Sequence, residues 1–275
     1  MYYLENLENI EQYRYTSKIN ALIECVYIEN YFSLSQNQWV KNRIFPDNTI
    51  ELIITDKKFK RYFSTEGESL ILKSHLSGLK TKWQDIWLEG SPLISIRFKP
   101  DILFQIINFP AKEFKNRSMS PYDIFGRNFI DFEDKLFSLR CNADRLKLIE
   151  TYFTSKLKQS ELKQDKIFLY SKKIIEDTTG QIKIKYLNDK VGITNKALEN
   201  KFKKYLGITP KEYCRLVRFV SCSKDYDVKK YSLTSWAHQN CFFDQSHFVK
   251  EIQAFSGFKP SRFFSHPKGV QSAIF

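Results

Sequence analysis

Two short sets of largely polar side chains in the last third of the chain have the chemistry to read nucleic-acid bases. They are Lys196, Glu199, Asn200 and Lys203, and then Gln245, Ser246, Val249 and Lys250. Each set falls on one side of a segment whose other side is apolar at helical spacing. Leu198 and Phe202 form the apolar side of the first, Phe248 and Ile252 that of the second. Lys donates to guanine, Asn and Gln pair with adenine, and Ser donates or accepts, so helices bearing these faces can hydrogen-bond base edges.

Such a face reads DNA only when a scaffold holds the helix in a groove. The elements around both sets supply one. Apolar periodicity predicts helices over 166–177, 184–191, 195–205, 211–226, 232–238 and 245–255. In the first of these, Ile167, Tyr170, Ile174 and Ile175 are expected to face inward. Thr194 and Asp244 stand as N-caps, while Gly207 and Gly257 stand where a left-handed residue closes a helix. Thr194, Leu198, Phe202, Gly207 and Pro210 recur as Asp244, Phe248, Ile252, Gly257 and Pro260, each 50 residues on. A single cap, apolar pair and glycine is common; two in register mark an internal repeat. Each repeat is a short helix, a tight turn and a longer helix, the layout of a helix-turn-helix.

Charge follows the same division. Residues 165–275 hold 20 Lys+Arg against 10 Asp+Glu, whereas the other 164 residues hold 24 against 21. The basic excess sits where a polyanion would be met. A length of 275 residues allows two ordinary domains, and the polar stretch 158–165 is the best linker between them. No apolar run reaches the roughly 18–20 residues that span a bilayer. The N-terminal residues carry no basic segment followed by an apolar one, so a cytoplasmic protein is expected. Five cysteines without a C-x-x-C pair (Cys25, Cys141, Cys214, Cys222, Cys241) read as reduced, mostly buried thiols.

The residues 198–213, beginning Leu-Glu-Asn-Lys-Phe and ending Lys-Glu-Tyr, then Arg218, 236–248 and Gly257-Phe-Lys-Pro260, closely resemble the AraC/XylS family of transcription regulators. The resemblance covers about residues 166–264. It implies two helix-turn-helix subdomains joined by a long central helix, here about 211–226, with recognition helices at about 195–205 and 245–255 in successive major-groove segments. It also implies base contacts from Lys196, Glu199 and Asn200, and from Gln245, Ser246 and Lys250; Lys203 completes the outward face of the first helix. Three positions depart from the family pattern. Cys241 replaces a turn glycine, Ile252 replaces Phe, and Asn200 stands where Arg is common.

The first half reads as β-rich. Strands are expected at 21–27, 39–45, 49–55, 70–72 and 93–98, separated by turn-forming groups, which suggests an antiparallel barrel or sandwich. A helix is expected over 101–108, and a further helical stretch over 131–158 with Phe132, Leu136, Leu139, Leu146, Ile149 and Phe153 buried. The segments 45–53 and 95–100 resemble the β-rich N-terminal domain of one branch of the same regulators, with Asn48 in place of a usual glycine. Asp47, Glu51 and Arg97 read either as a ligand-cavity lining or, with greater weight, as a structural ion pair. His75 reads as a surface or core histidine, and His238, His247 and His266 make no metal set.

The fold class expected is α+β: a barrel-like, cupin-like N-terminal domain with helices, then an all-α DNA-binding domain. The divisions are 1–130 as sensor, 131–164 as linker helices and 165–275 as the double helix-turn-helix domain. The function expected is sequence-specific DNA binding in transcription regulation, as an activator or a repressor. No catalytic constellation, cofactor or metal is predicted, and the ligand-binding residues are unknown. Double-stranded DNA is the expected partner, with RNA polymerase, a small-molecule effector and a second copy of the chain as further candidates, and no membrane. The alternative is a small-molecule sensor whose helical half serves mainly as a protein-interaction module.

Overall fold

The computed structural model describes residues 10–29, 40–55, 59–63, 69–88, 93–107, 109–160, 162, 165–224, 232–239, 242 and 244–265. The sequence-stretch expectations that rest on Cys241, on His266 and on most of the polar stretch near 161–164 lie outside these residues.

The first half is built on two antiparallel sheets. The larger contains β1 (Ile10–Tyr13), β2 (Ile23–Glu29), β9 (Leu93–Phe98), β4 (Ile50–Ile54), β7 (His75–Ser77) and β10 (Ser118–Met119), in that spatial order. The smaller contains β3 (Val40–Ile44), β8 (Gln84–Leu88), β5 (Phe59–Phe63) and β6 (Ser69–Leu72). Strand β9 sits centrally, with Ile96 opposite both Val26 and Leu52. Period-two alternation then sorts its neighbours' side chains to two faces. Val26, Ile28, Ile50, Leu52, Ile54, Ile94, Ile96 and Phe98 point to one face and join a single apolar cluster. Helices α1 (Pro100–Ile107), α3 (Asn128–Ser138) and α4 (Asn142–Gln159) cover that face with Leu103, Phe132, Leu136, Ile149 and Phe153. The short α2 (Pro121–Phe125) adds Phe125, which stacks on Phe129 at 5.6 Å.

The other face of β9 and β4 is also buried and carries polar groups beside Ile53 and Leu93. Arg97 lies 3.6 Å from Asp47 and 3.8 Å from Glu51, and Ser95 donates to Glu51. All four residues are at most 5% exposed, so this cluster belongs to the interior. Burial opposes ionisation of Asp47 and Glu51, yet surrounding positive charge, to which Arg97 and Lys80 contribute, outweighs it and holds both carboxyls below their ordinary range. The charged groups Asp47, Glu51 and Arg97 therefore form a buried ion cluster.

The second half is helical: α5 (Lys166–Asp177), α6 (Ile184–Val191), α7 (Asn195–Leu206), α8 (Pro210–Lys224), α9 (Leu233–Gln239), α10 (Gln245–Ser256) and α11 (Pro260–Phe264). The β-rich first half and helical second half are the α+β arrangement expected. Three local expectations are corrected. The stretch 131–158 is two helices, α3 and α4, with extended backbone at Leu139 and Cys141 between them. Ile167 and Tyr170 face outward, at 37% and 49% exposure, while Phe168, Ser171, Ile174 and Ile175 face the core. The strand expected from residue 21 begins at Ile23, because residues Lys18–Ala21 form a 3-10 turn.

The two halves share apolar packing. Ile44, Phe45, Ile53, Leu79, Ile86 and Leu93 belong to the same cluster as the cores of α5–α11. Phe45 meets Phe258 and Phe263 edge-on, at 6.3 and 5.3 Å.

Candidate nucleic-acid interface

The first unit pairs α6 with α7. Leu187, Leu198, Phe202 and Leu206 are all 1% exposed or less and fix the angle between these helices. Thr194 caps α7 by accepting from the Ala197 amide at 3.2 Å, a contact worth about 1 kcal/mol. Gly207 ends the helix at φ +74°, and an added Cβ there would lie 2.3 Å from the Ala111 carbonyl oxygen. That glycine therefore answers both a left-handed backbone and a close approach to the 3-10 turn Ala111–Phe114 of the first half.

The second unit repeats the arrangement. Asp244 accepts from the His247 amide at 2.7 Å, Phe248 and Ile252 are fully buried, and Gly257 closes α10 at φ +71°. Ile252, where a larger Phe was the family expectation, is 0% exposed beside Phe255 and Phe264 in the same cluster. Phe242 packs between the two helices, 5.0 Å from Phe248.

Helix α8 joins the units and is bonded to α5 and the loop after it on one side and to α10 on the other. Its Tyr213 hydroxyl donates to Glu176 of α5 at 2.6 Å, and Arg218 donates to the Gly180 carbonyl at 2.7 Å. Burial, then Glu176, keeps the Tyr213 hydroxyl protonated well above its ordinary range. Toward the second unit, Arg215 grips Glu251 of α10 with two bonds of 2.9 and 2.8 Å. This two-pronged pairing fixes orientation as well as distance.

The residues that the sequence assigned to base contacts emerge as follows. Lys196, Asn200 and Lys203 are exposed on α7 and Glu199 is half-buried. Asn195 donates to Glu199 at 3.2 Å, and Lys203 lies 3.5 Å from the same carboxylate, so two of these side chains join Asn195 in a surface network. Gln245, Ser246 and Lys250 are exposed on α10, with Val249 and His247 half-buried. Each set thus shares one helix face, starting at the capped N-terminus where the helix dipole favours anions.

Sequence reasoning missed the residues that brace this face from outside it. Arg43 of β3 donates to both Asp85 oxygens at 2.6 and 2.9 Å. Its guanidinium lies 3.8 Å from the Trp83 ring and 4.3 Å from Phe258, and it reaches the Ser256 carbonyl at 3.4 Å. On the first unit, Lys115 pairs with Glu212 of α8 at 2.5 Å. Burial opposes ionisation of Glu212, but bonds from Lys115 and Thr209 hold its carboxyl below the ordinary range. The partners that Arg43 and Lys115 take in the second half, Ser256, Phe258 and Glu212, are 97 or more residues away, so no local signal announces them.

Two family models match the chain. Residues 15–120 match a domain of unknown function (DUF6597), and residues 187–266 match a helix-turn-helix domain. No curated protein matches. Among solved structures, an apo form of a ToxT variant from Vibrio cholerae strain SCE256 is 15% identical, covering 87% of this chain and 97% of its own, with a TM-score of 0.44. Wild-type ToxT of the same strain, bound to an unsaturated fatty acid, is 14% identical over 84% and 96%, with a TM-score of 0.42. The AraC-like transcriptional activator CuxR is 9% identical over 78% and 86%, with a TM-score of 0.26.

Proposed function

We propose that the chain is a regulator of the AraC/XylS type, on the strength of its helix-turn-helix domain at residues 187–266, and that it reads a specific DNA sequence with α7 and α10 in successive major-groove segments. The observation that carries this is the pairing of two capped helices in one repeat frame, each with a polar face at its N-terminus, braced by α8 through Tyr213 and Arg215. Lys196, Glu199, Asn200 and Lys203 would meet one half-site, and Gln245, Ser246 and Lys250 the other. Exposed lysines supply salt-dependent affinity, and the amides and hydroxyl supply choice of sequence.

In this proposal, residues 1–130 sense or regulate, 131–164 connect and 165–275 read DNA. A small-molecule effector, RNA polymerase and a second copy of the chain are its proposed partners in a cytoplasmic setting, and no residue is given a catalytic role. The test is selection of bound duplexes from a random pool, followed by footprinting. Two protected half-sites about one helical turn apart are expected. Gln245→Ala should relax preference at one base position of one half-site, by about 1–3 kcal/mol. Enrichment of no sequence, or binding that ignores salt, would overturn the proposal.

A further inference from the structure

Between the first recognition helix and the N-terminal half lies a cleft of about 640 Å3, within the roughly 300–1,000 Å3 typical of small-molecule sites. One wall is α7. The other is the end of α1 and the start of the 3-10 turn Ala111–Phe114. Phe104 and Phe109 give the cleft its apolar part, and both rings are held edge-on by Phe114 at 5.2 and 5.1 Å. The charged part has one sign. Lys112, Lys203 and Lys204 line the cleft, and among the described residues that line it none is Asp or Glu. Glu113 lies 3.8 Å from Lys112 and Glu199 lies 3.5 Å from Lys203, but exposed pairs of this kind are worth little. Cations gathered over an apolar floor repel one another, and an anion among them removes that repulsion.

We infer that this cleft is a binding site for a small amphipathic organic anion, a carboxylate or sulfonate on an aromatic or branched apolar body. The body rests on Phe104 and Phe109, and the head sits among Lys112, Lys203 and Lys204. The site also includes Asn200, so Asn200 and Lys203 belong both to the cleft and to the outward face of α7. A side chain turned to the ligand is unavailable to DNA. The two ligands therefore oppose each other, and each weakens the other by the same factor. This opposition rests on α7 meeting DNA; the anion site does not.

The test uses the full chain with two fluorescent probes of similar shape, the anionic 8-anilinonaphthalene-1-sulfonate and the neutral N-phenyl-1-naphthylamine. The sulfonate should saturate one site and bind more tightly than the amine. Lys112→Ala, away from the DNA-reading helices, should weaken the sulfonate by about tenfold and leave the amine unchanged. The duplex obtained by selection should raise the sulfonate's Kd, while Lys112→Ala leaves duplex affinity within about twofold of the parent. Sulfonate binding indifferent to Lys112→Ala, or equal binding of both probes, would overturn the anion site. Unchanged affinities in a ternary complex would overturn the opposition. If no duplex binds at all, the opposition falls together with the proposed function, and the Lys112 comparison still decides the site.

Discussion

Replacing Arg97 with Met tests what the buried cluster in the first half is for. Arg97 is 5% exposed and faces Asp47 at 3.6 Å and Glu51 at 3.8 Å, with the Tyr27 ring 5.0 Å from its guanidinium. Removing one partner from a buried ion cluster leaves charge without compensation and costs about 3–5 kcal/mol. At about 2–4 °C per kcal/mol for a chain of this order, Tm should fall by about 6–20 °C. Urea unfolding at several pH values carries the sharper test. In the parent, both carboxyls ionise below their ordinary range. Their contribution is whole above about pH 4 and is lost as pH falls through the depressed folded values. In Arg97→Met the guanidinium's support for the charged forms is lost, so both folded pKa values rise above those of the parent. The cost of keeping the carboxyls charged is then largest well above the raised values and shrinks on acidification. The stability gap between parent and variant should therefore narrow as pH falls through the variant's raised values toward the parent's depressed ones. A loss under about 1 kcal/mol, or a gap that widens with acid, refutes this account. A variant more stable than the parent would mark the cluster as a binding site held at a cost in stability.

Gly207→Ala and Gly192→Ala both place a side chain at positive φ, but only at Gly207 does the new Cβ meet another chain segment. Both should destabilise by about 1 kcal/mol, with a further loss at Gly207 from the Ala111 clash, read as a lower Tm than Gly192→Ala gives. Arg43→Ala removes a bidentate bond and two ring contacts, and should speed amide exchange in α9–α11 at least about tenfold while sparing α5. Lys204→Ala should weaken binding to all duplexes alike and reduce the slope of log K against log salt by about 1, measured by fluorescence titration.

How much of this was visible beforehand depends on how local the signal is. The boundaries of α6, α7 and α10 fall within a residue of expectation, because caps and closing glycines act over three or four residues. Helix α5 was found with Ile174 and Ile175 inward as expected, but Ile167 and Tyr170 stood in for the buried Phe168 and Ser171. Ser171 occupies a core position, satisfying its hydroxyl on the Ile167 carbonyl at 2.7 Å, so an apolar count shifts the stripe. Strand β7 is only three residues, all buried, too short to show a period. The break between α3 and α4 carries no Gly or Pro to mark it. Both outward polar faces were legible as residue sets, since each follows from the period of one helix. The cleft beside α7 was not, because Phe104 and Lys204 meet only through the packing of the two halves.

The contact between Phe45 and Phe263 also sets a schedule for the newborn chain. Phe45 leaves the ribosome about 220 residues before its aromatic partners exist, a wait of roughly 10–45 s at ordinary synthesis rates. During that interval Ile44 and Phe45 lack the helical cover that buries them in the finished protein. The first half is thus born with an adhesive strip, and the last helices to be made are those that cover it. Slowed or interrupted translation near the end of the message would expose that strip longest, so the yield of soluble protein should depend on how promptly residues 258–263 arrive.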